Sequence, residues 1–588
     1  MVLSDLRVFL ELLRSKGLLK VIEQPLDPYL EIPEIHLRVI EKGGPALLFK
    51  NPKGAQFPLV TNLFGTQERV DLAFGQRPKK FIQQLVELSD HFMPPKASTF
   101  IKGGALLGQG LRIGLKNISA SKAPLLYSGP LAPKLSQLPI TTSWPQDGGP
   151  FVTLPLVYTE HPQTGHHNLG MYRIHVYNDN TTGMHWQIHK GGGFHYSEAE
   201  KMNMALPVTL YNGGPPALIL AAIAPLPENV PELLLASLLM GRKIERTKAP
   251  GSPHRLLAQA EFAFVGEVGP HERRPEGPFG DHYGYYSLQH DYPVFKIRNM
   301  WHRKDAIFCA TVVGEPRQED FYIGDYLQEL LSPLFPKVMP SVERLSTFGE
   351  TGFHGLAEAK VKVRYPREAV STGFRILGEG QLSLTKVLML TDHSTPPRPF
   401  SAYLESYLCR MDPKVDVHVF SCTSQDTLDY TGPKVNEGSK LMLVATGEPR
   451  FPLQAEKPRA LPQGLRCAEL FCRGCCVLEA QASYEQDPQL GSRMVQEEAL
   501  KAYQMLVLVD NLEETLKSEM SFLWTLFTRF EPAADLYAGG SQLNRYHVEL
   551  KAPLLIDARM KPWYPGRLVM SPDIMARVDK IFPEIFPT

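Results

Sequence analysis

The stretch Phe151-Val-Thr-Leu-Pro-Leu-Val-Tyr158 decides how the fold is read. Its apolar, β-forming residues read as strand, and Pro207–Tyr211, Ala217–Ile223 and Glu261–Val265 repeat that character between Gly- and Pro-rich turns. Residues 121–330 are therefore expected to form an antiparallel barrel or sandwich, interrupted by one helix near Glu232–Met240.

Toward the N-terminus, Ser4 or Asp5 can cap a helix whose Leu6, Phe9, Leu10 and Leu13 fall on one face, with Gly17 placed to end it. Strands at Leu18–Ile22 and Ala46–Phe49 follow, the second lying between the turn signals Gly43-Gly-Pro45 and Asn51-Pro52. This predicts a small α/β domain over residues 1–120.

Toward the C-terminus, over residues 331–588, the α/β alternation returns with an internal repeat. Val387-Leu-Met-Leu-Thr-Asp392 precedes a helical Phe400–Met411, Asp412-Pro413 and a strand at Val415–Phe420. Met505-Leu-Val-Leu-Val-Asp510 precedes a helical Phe522–Phe530, Glu531-Pro532 and Ala534–Tyr537. The two aspartates are 118 residues apart and the two prolines 119, so a module duplicated over 385–445 and 503–560 is expected within one compact domain. Between the copies, Cys467, Cys472, Cys475 and Cys476 resemble iron–sulfur or zinc spacing. Neighbouring Cys475 and Cys476 would point apart in an extended chain, so buried, incidental thiols are the favoured reading.

The 588 residues carry 62 Lys+Arg and 62 Asp+Glu, a formal net charge of zero. Counterion-release binding needs a surplus of cations, so no nucleic-acid partner is expected. Hydrophobic residues at 43% and charged residues at 21% fit a globular chain, while 51 Pro and 46 Gly speak against a helical bundle. Seven cysteines, the first at Cys309, cannot form a disulfide framework and leave the preceding residues thiol-free. Asp5 and Glu11 break the apolar N-terminus, and Pro216–Pro227 is too short and Pro-interrupted to span a bilayer. A reduced, cytoplasmic protein is expected.

Seven of the 18 histidines lie between His161 and His195. In that window Lys190-Gly-Gly-Gly193 could close backbone N–H groups around a phosphate while the ammonium balances its charge. His189, with Asn168 and a carboxylate such as Glu232, could complete an N/O site for Mn²⁺ or Mg²⁺. Farther on, Glu276 and Asp281 stand five apart across a Gly-Pro-x-Gly turn and can be aimed into one cavity. Two carboxylates in an aromatic-lined site should differ in pKa, one serving as a proton donor while an arginine, Arg173 by choice, keeps the other ionised.

These residues carry a resemblance to the UbiD family of decarboxylases, 3-polyprenyl-4-hydroxybenzoate decarboxylase and its relatives. The matching stretches are Ser4-Asp-Leu-Arg-Val-Phe-Leu, Gly43-Gly-Pro-Ala-Leu-Leu-Phe, Asn62-Leu-Phe-Gly-Thr, Leu138-Pro-Ile-Thr-Thr-Ser-Trp-Pro and Asn168-Leu-Gly-Met-Tyr-Arg173. They continue with His189-Lys-Gly-Gly, Glu276-Gly-Pro-Phe-Gly-Asp281 and Gly438-Ser-Lys440. The likeness runs from residue 1 to about 445 and over the last 35 or so, and departs at about 450–550.

The resemblance implies an α/β (α+β) chain whose central split β-barrel binds prenylated FMN, flanked by a small N-terminal and a C-terminal α/β domain. It implies a divalent metal, Mn²⁺, held by Asn168, His189 and Glu232, with K⁺ nearby. Met171, Tyr172, Arg173, His185, Trp186, Gln187, Lys190 and Gly191 would line the cofactor, and Lys440 would reach it from the C-terminal part. Arg173, Glu276 and Asp281 match the catalytic network, with Asp281 as proton donor and Glu276 ionised by Arg173. The implied reaction is non-oxidative loss of CO₂ from a prenylated aromatic acid in ubiquinone biosynthesis. A prenylated dihydroxynaphthoate of menaquinone biosynthesis is the alternative, and a flavin oxidoreductase on the same barrel a weaker one. The implied partners are a flavin prenyltransferase that supplies the cofactor and further copies of the chain, as dimer or hexamer. A polyprenyl substrate leaves peripheral contact with the inner membrane open.

Overall fold

The computed structural model describes residues 3–90, 112–186, 191–224, 226 and 231–586. The chain divides into two compact units, one of Met1–Leu330 with Arg567–Thr588 and one of Leu331–Gly566.

The first unit begins as the sequence predicts. Asp5 caps the helix Leu6–Ser15 by accepting from the Val8 N–H at 3.0 Å, and Leu6, Phe9, Leu10 and Leu13 are its buried face. Strands Leu19–Ile22, Ala46–Phe49 and Leu59–Thr61 form a sheet whose fourth member is Phe308–Cys309, parallel to Leu59–Thr61. That late strand joins residues read as two domains. Ile22, Leu47 and Phe49 share one apolar core with Val157, Leu210, Phe264 and Phe295.

At the centre lies an antiparallel sheet of six strands in the order His167–Gly170, Pro155–Glu160, Leu206–Asn212, Phe262–Glu276, His290–His302, Thr181–Gly183. Among the described residues its two edge strands are not paired with each other. Its first strand brings Asn168 to one edge, and its longest strand ends on Glu276.

The middle region holds more helix than the single one expected, with Gly191–Lys201 and Glu319–Leu331 also helical, and one element read as strand differs in kind. Ala217–Ile223 is a helix, not a strand. Its run Ala217–Ala221 is buried on every side, so no alternation betrays the period. Pro216 before it already has helical dihedrals, φ −53° and ψ −31°.

The chain also returns to the first unit after the second. Ile574, Val578 and Ile585 of the helix Pro572–Ile585 join the first core, and Arg577 reaches Glu31 at 3.1 Å. The C-terminal α/β region thus ends at Gly566 instead of continuing to residue 588.

In the second unit, a first sheet runs Val342–Thr347, Leu356–Val361, Val387–Thr391, Glu437–Ala445, Val417–Ser424. A second runs Leu465–Cys472, Cys475–Ala480, Met505–Val509, His547–Asp557, Leu536–Asn544. Order and strand sense are the same: antiparallel, parallel, parallel, antiparallel. Side chains alternate between faces along each strand, so Val387 and Met389 enter one core and Leu388 and Leu390 another. Cys475 and Cys476 separate in the same way, and all four clustered cysteines are free thiols. No helix among the described residues is long and apolar enough to cross a membrane.

Candidate active site

Glu276, with no exposed surface, closes the strand Phe262–Glu276, and the chain then turns through Gly277 at φ +93°. The turn lies flat on an indole. A Cβ on Gly280 would stand 2.1 Å from Trp144 Cδ1, so only glycine permits the approach. Asp281 sits at the far side of this turn, its own N–H bonded to Tyr285 O at 3.1 Å.

Arg173, three residues beyond the strand His167–Gly170, binds both acids. Its Nε and Nη2 donate to Glu276 Oε1 and Oε2 at 2.8 and 2.9 Å, a two-pronged pairing. Nη1 donates to Asp281 Oδ2 at 2.5 Å, and Nη2 also to Ser287 Oγ at 2.9 Å. The guanidinium lies over the Phe279 ring, 4.8 Å from its centroid. His185 Nδ1 is 3.1 Å from Glu276 Oε2. The backbone N–H and Nδ1 of His282 both reach Asp281 Oδ1 at 2.7 Å.

Burial would raise both carboxyls, yet both are held well below the usual carboxylate range. For Glu276 the charge of Arg173 and the His185 bond outweigh burial; for Asp281 the His282 bond and Arg173 do. The expected separation of the two pKa values is absent in this arrangement, because one guanidinium serves both acids. Burial and Arg173 lower His185, which is therefore neutral near pH 7. A neutral ring that donates from Nδ1 to Glu276 leaves Nε2 as a bare acceptor.

Asp147 completes the floor and was not singled out in the sequence. Its Oδ1 accepts from Gly280 N at 2.7 Å, and Oδ2 from Ser143 and Trp144 N at 3.0 and 2.9 Å. Burial pushes its carboxyl up to about 6 from an ordinary 3.8, against those three N–H bonds and Arg173. The signal available was its place two residues beyond the family-like stretch that ends at Pro145; its partner Gly280 is far away in the chain.

Asp147→Ala is expected to leave three backbone donors unanswered, at about 1–3 kcal/mol each, and to unseat the residue before Asp281. A raised folded pKa means that Asp147 stabilises fully below pH 3.8 and loses that contribution as pH rises through about 6. The drop in thermal midpoint caused by the substitution should therefore be larger at pH 4 than at pH 7.5. An equal drop at both would show that Asp147 does not titrate in this window.

A second cluster borders the first. Glu232 begins the helix Glu232–Met240, and its Oε2 accepts from Leu169 N at 3.0 Å, next to Asn168. Tyr172 Oη accepts from Gly192 N at 3.1 Å and from Asn168 Nδ2 at 3.5 Å. A Cβ on Gly191 would stand 2.2 Å from Asn168 Oδ1, so the helix Gly191–Lys201 starts against that amide. Arg173, Met171 and Tyr172 follow Asn168 on the same segment, and His185 and Trp186 are buried. Among the described residues, nothing answers His185 Nε2 or Trp186 Nε1. Gln187, His189 and Lys190 lie outside the described residues. Lys440 belongs to the second unit, where its buried Nζ donates to Thr385 O at 3.0 Å and burial lowers its pKa to about 8.

Comparison with known proteins identifies the class to which the chain that carries this network belongs. Residues 10–89, 116–316 and 321–445 match family models described as the N-terminal, Rift-related and C-terminal domains of 3-octaprenyl-4-hydroxybenzoate carboxy-lyase. The chain belongs to the UbiD family and is a carboxy-lyase. It is 48% identical, over 100% of its length and 99% of the relative's, to a 4-hydroxybenzoate decarboxylase subunit of Chlamydia pneumoniae. The closed form of Sedimentibacter hydroxybenzoicus vanillic acid decarboxylase shares the fold at TM-score 0.68 and 24% identity, over 79% of this chain and 95% of that one. An evolved dimeric form of the UbiD-class enzyme HmfF from Pelotomaculum thermopropionicum, in complex with prFMN, does so at TM-score 0.60 and 22% identity, over 76% and 95%.

Proposed function

We propose that the chain removes CO₂ non-oxidatively from an aromatic acid of the 3-polyprenyl-4-hydroxybenzoate type, using prenylated FMN and a divalent metal. The observation that carries the reading is Arg173 gripping two buried carboxylates, near polar atoms of His185 and Trp186 that nothing among the described residues answers. One bare acceptor and one N–H donor on a buried aromatic wall, next to a glycine-rich helix start, suit a flat heteroaromatic ring bearing a phosphate.

Met171, Tyr172, Arg173, His185, Trp186 and Gly191 would hold that cofactor, together with Gln187 and Lys190. Asn168 and Glu232, with His189, would supply amide, carboxylate and imidazole donors to Mn²⁺, and K⁺ would sit nearby. When bound, prenylated FMN supplies the electron sink that no side chain offers. Supply of that cofactor calls for a flavin prenyltransferase partner.

The chain's own residues do the rest. A substrate carboxylate arriving at Arg173 competes with Asp281 for the guanidinium. Released from Arg173, buried Asp281 takes up a proton more readily, since desolvation favours the neutral acid, while His282 still donates to its other oxygen. After CO₂ departs, Asp281 gives that proton to the vacated ring carbon, while Glu276 keeps Arg173 in place and His185 keeps Glu276 in place. The relative's name favours a second reading in which the acid is 4-hydroxybenzoate itself.

Protein reconstituted with prenylated FMN and Mn²⁺ should release CO₂ from a short-chain 3-prenyl-4-hydroxybenzoate. A panel adding 4-hydroxybenzoate and a dihydroxynaphthoate identifies the ring. No CO₂ from any of them, with the cofactor's absorbance verified in the protein, would refute the proposal.

A further inference from the structure

The two modules of the second unit are packed on each other in a particular way. Each sheet turns one apolar face inward, Val387, Met389, Leu441 and Leu443 from the first and Met505, Val507, Leu554 and Ile556 from the second. The helices Phe400–Leu408 and Glu519–Thr528 contribute Phe400, Phe522 and Phe527 to the same core, with Phe471 stacked on Phe522 at 3.6 Å between centroids. The outward faces have cores of their own.

The contacts are reciprocal. Pro413–Asp416 of the first module packs on His547–Asp557 of the second, and the matching Pro532–Asp535 packs on Glu437–Ala445 of the first. His547 Nε2 donates to Lys414 O at 2.9 Å. In the opposite direction Ser439 Oγ donates to Glu531 Oε1 at 3.1 Å and accepts from Ala533 N at 2.9 Å. Near the middle, Ser401 N, in the first turn of one helix, donates at 3.3 Å to Glu519 Oε2, in the first turn of the counterpart helix. An element meeting its partner's counterpart in both directions, with the starts of counterpart helices meeting at the centre, is the pattern of a two-fold interface between identical subunits.

The family's C-terminal domain match ends at residue 445, and the two solved structures above are covered to 95% while leaving 21% and 24% of this chain unmatched. A chain that ended there would lack the second module's part of the core that Phe400, Val417 and Leu441 share; here each is at most 2% exposed. An apolar patch of that kind needs a covering partner.

We propose that the second module is that partner, fused in cis: it fills the two-fold face that a single-module chain would pair with another chain. The protein then has one catalytic unit for each pair of modules and does not self-associate through this face. The inference stands apart from the choice of substrate or cofactor.

Full-length S401C/E519C protein, oxidised and run under denaturing, non-reducing conditions, tests it. The expected product is a disulfide within one chain at 65.9 kDa, identified by a peptide joining residues 401 and 519. A covalent two-chain species through those cysteines, or reduced thiols at both in a protein with wild-type circular dichroism, would overturn it. Amine cross-linking of the unaltered protein needs no variant. Lys414 should be joined to Lys551 in the one-chain band, and the same link found only in the two-chain band would also overturn it.

Discussion

Arg173→Ala is expected to abolish measurable CO₂ release and to cost about 3–5 kcal/mol of stability, the range for breaking one side of a buried ion pair. Arg173 donates to Glu276, Asp281 and Ser287 at once, and Glu276 has no exposed surface. Removing it leaves two carboxylates buried against aromatic rings with their main counter-charge gone. Both should then take up protons at higher pH, so the variant's melting temperature should fall as pH rises from 5 to 8, where the parent's share from these acids is flat. Arg173→Lys separates charge from geometry. An ammonium is a point charge and cannot span both acids, so partial stability should return without activity. Near-normal turnover in either variant would remove Arg173 from the catalytic network.

Asp281→Asn is expected to lower turnover by about 10²–10⁴-fold, the usual worth of a positioned proton donor, while flavin absorbance in the purified protein stays near the parent's. Asparagine keeps shape and hydrogen bonding but has no proton to give at neutral pH. The stability signature is distinct. Asp281 has a depressed folded pKa, so its contribution is present above the ordinary 3.8 and is lost as pH falls through the lower folded value. The gap in melting temperature between parent and D281N should therefore open as pH rises from 3 to 5 and stay constant above that. A variant that loses the cofactor together with activity would point to a structural role instead.

The parts of the site read from sequence were those that local chemistry could indicate. Glu276, Asp281 and Arg173 stood out because two acids across a glycine turn need a cation, and the structure brings them within hydrogen-bonding distance. The ionisation state was not legible. Whether two acids split or share depends on whether one guanidinium can reach both, which spacing along the chain does not reveal. Asp147 was missed for a related reason: its role comes from a contact to Gly280 made by the fold. In the fold, the capped first helix and Ala46–Phe49 were legible from capping and turn residues. Ala217–Ile223 was misread because a run buried on all sides has no period. The strand Phe308–Cys309 has only two residues and draws its meaning from Leu59–Thr61. No local pattern could have placed it there.

The return of Pro572–Ile585 to the first core bears on how the molecule is made. Synthesis proceeds from the N-terminus, and domains usually fold in the order in which they leave the ribosome. Here everything that the second unit needs has emerged before Ile574, Val578 and Ile585 are available to the first. The later-encoded unit is thus free to finish first, while the first unit's core stays incomplete until the helix Pro572–Ile585 is made. A chain without that helix lacks part of the first core, so the first unit's packing closes only after the whole of the second has been made.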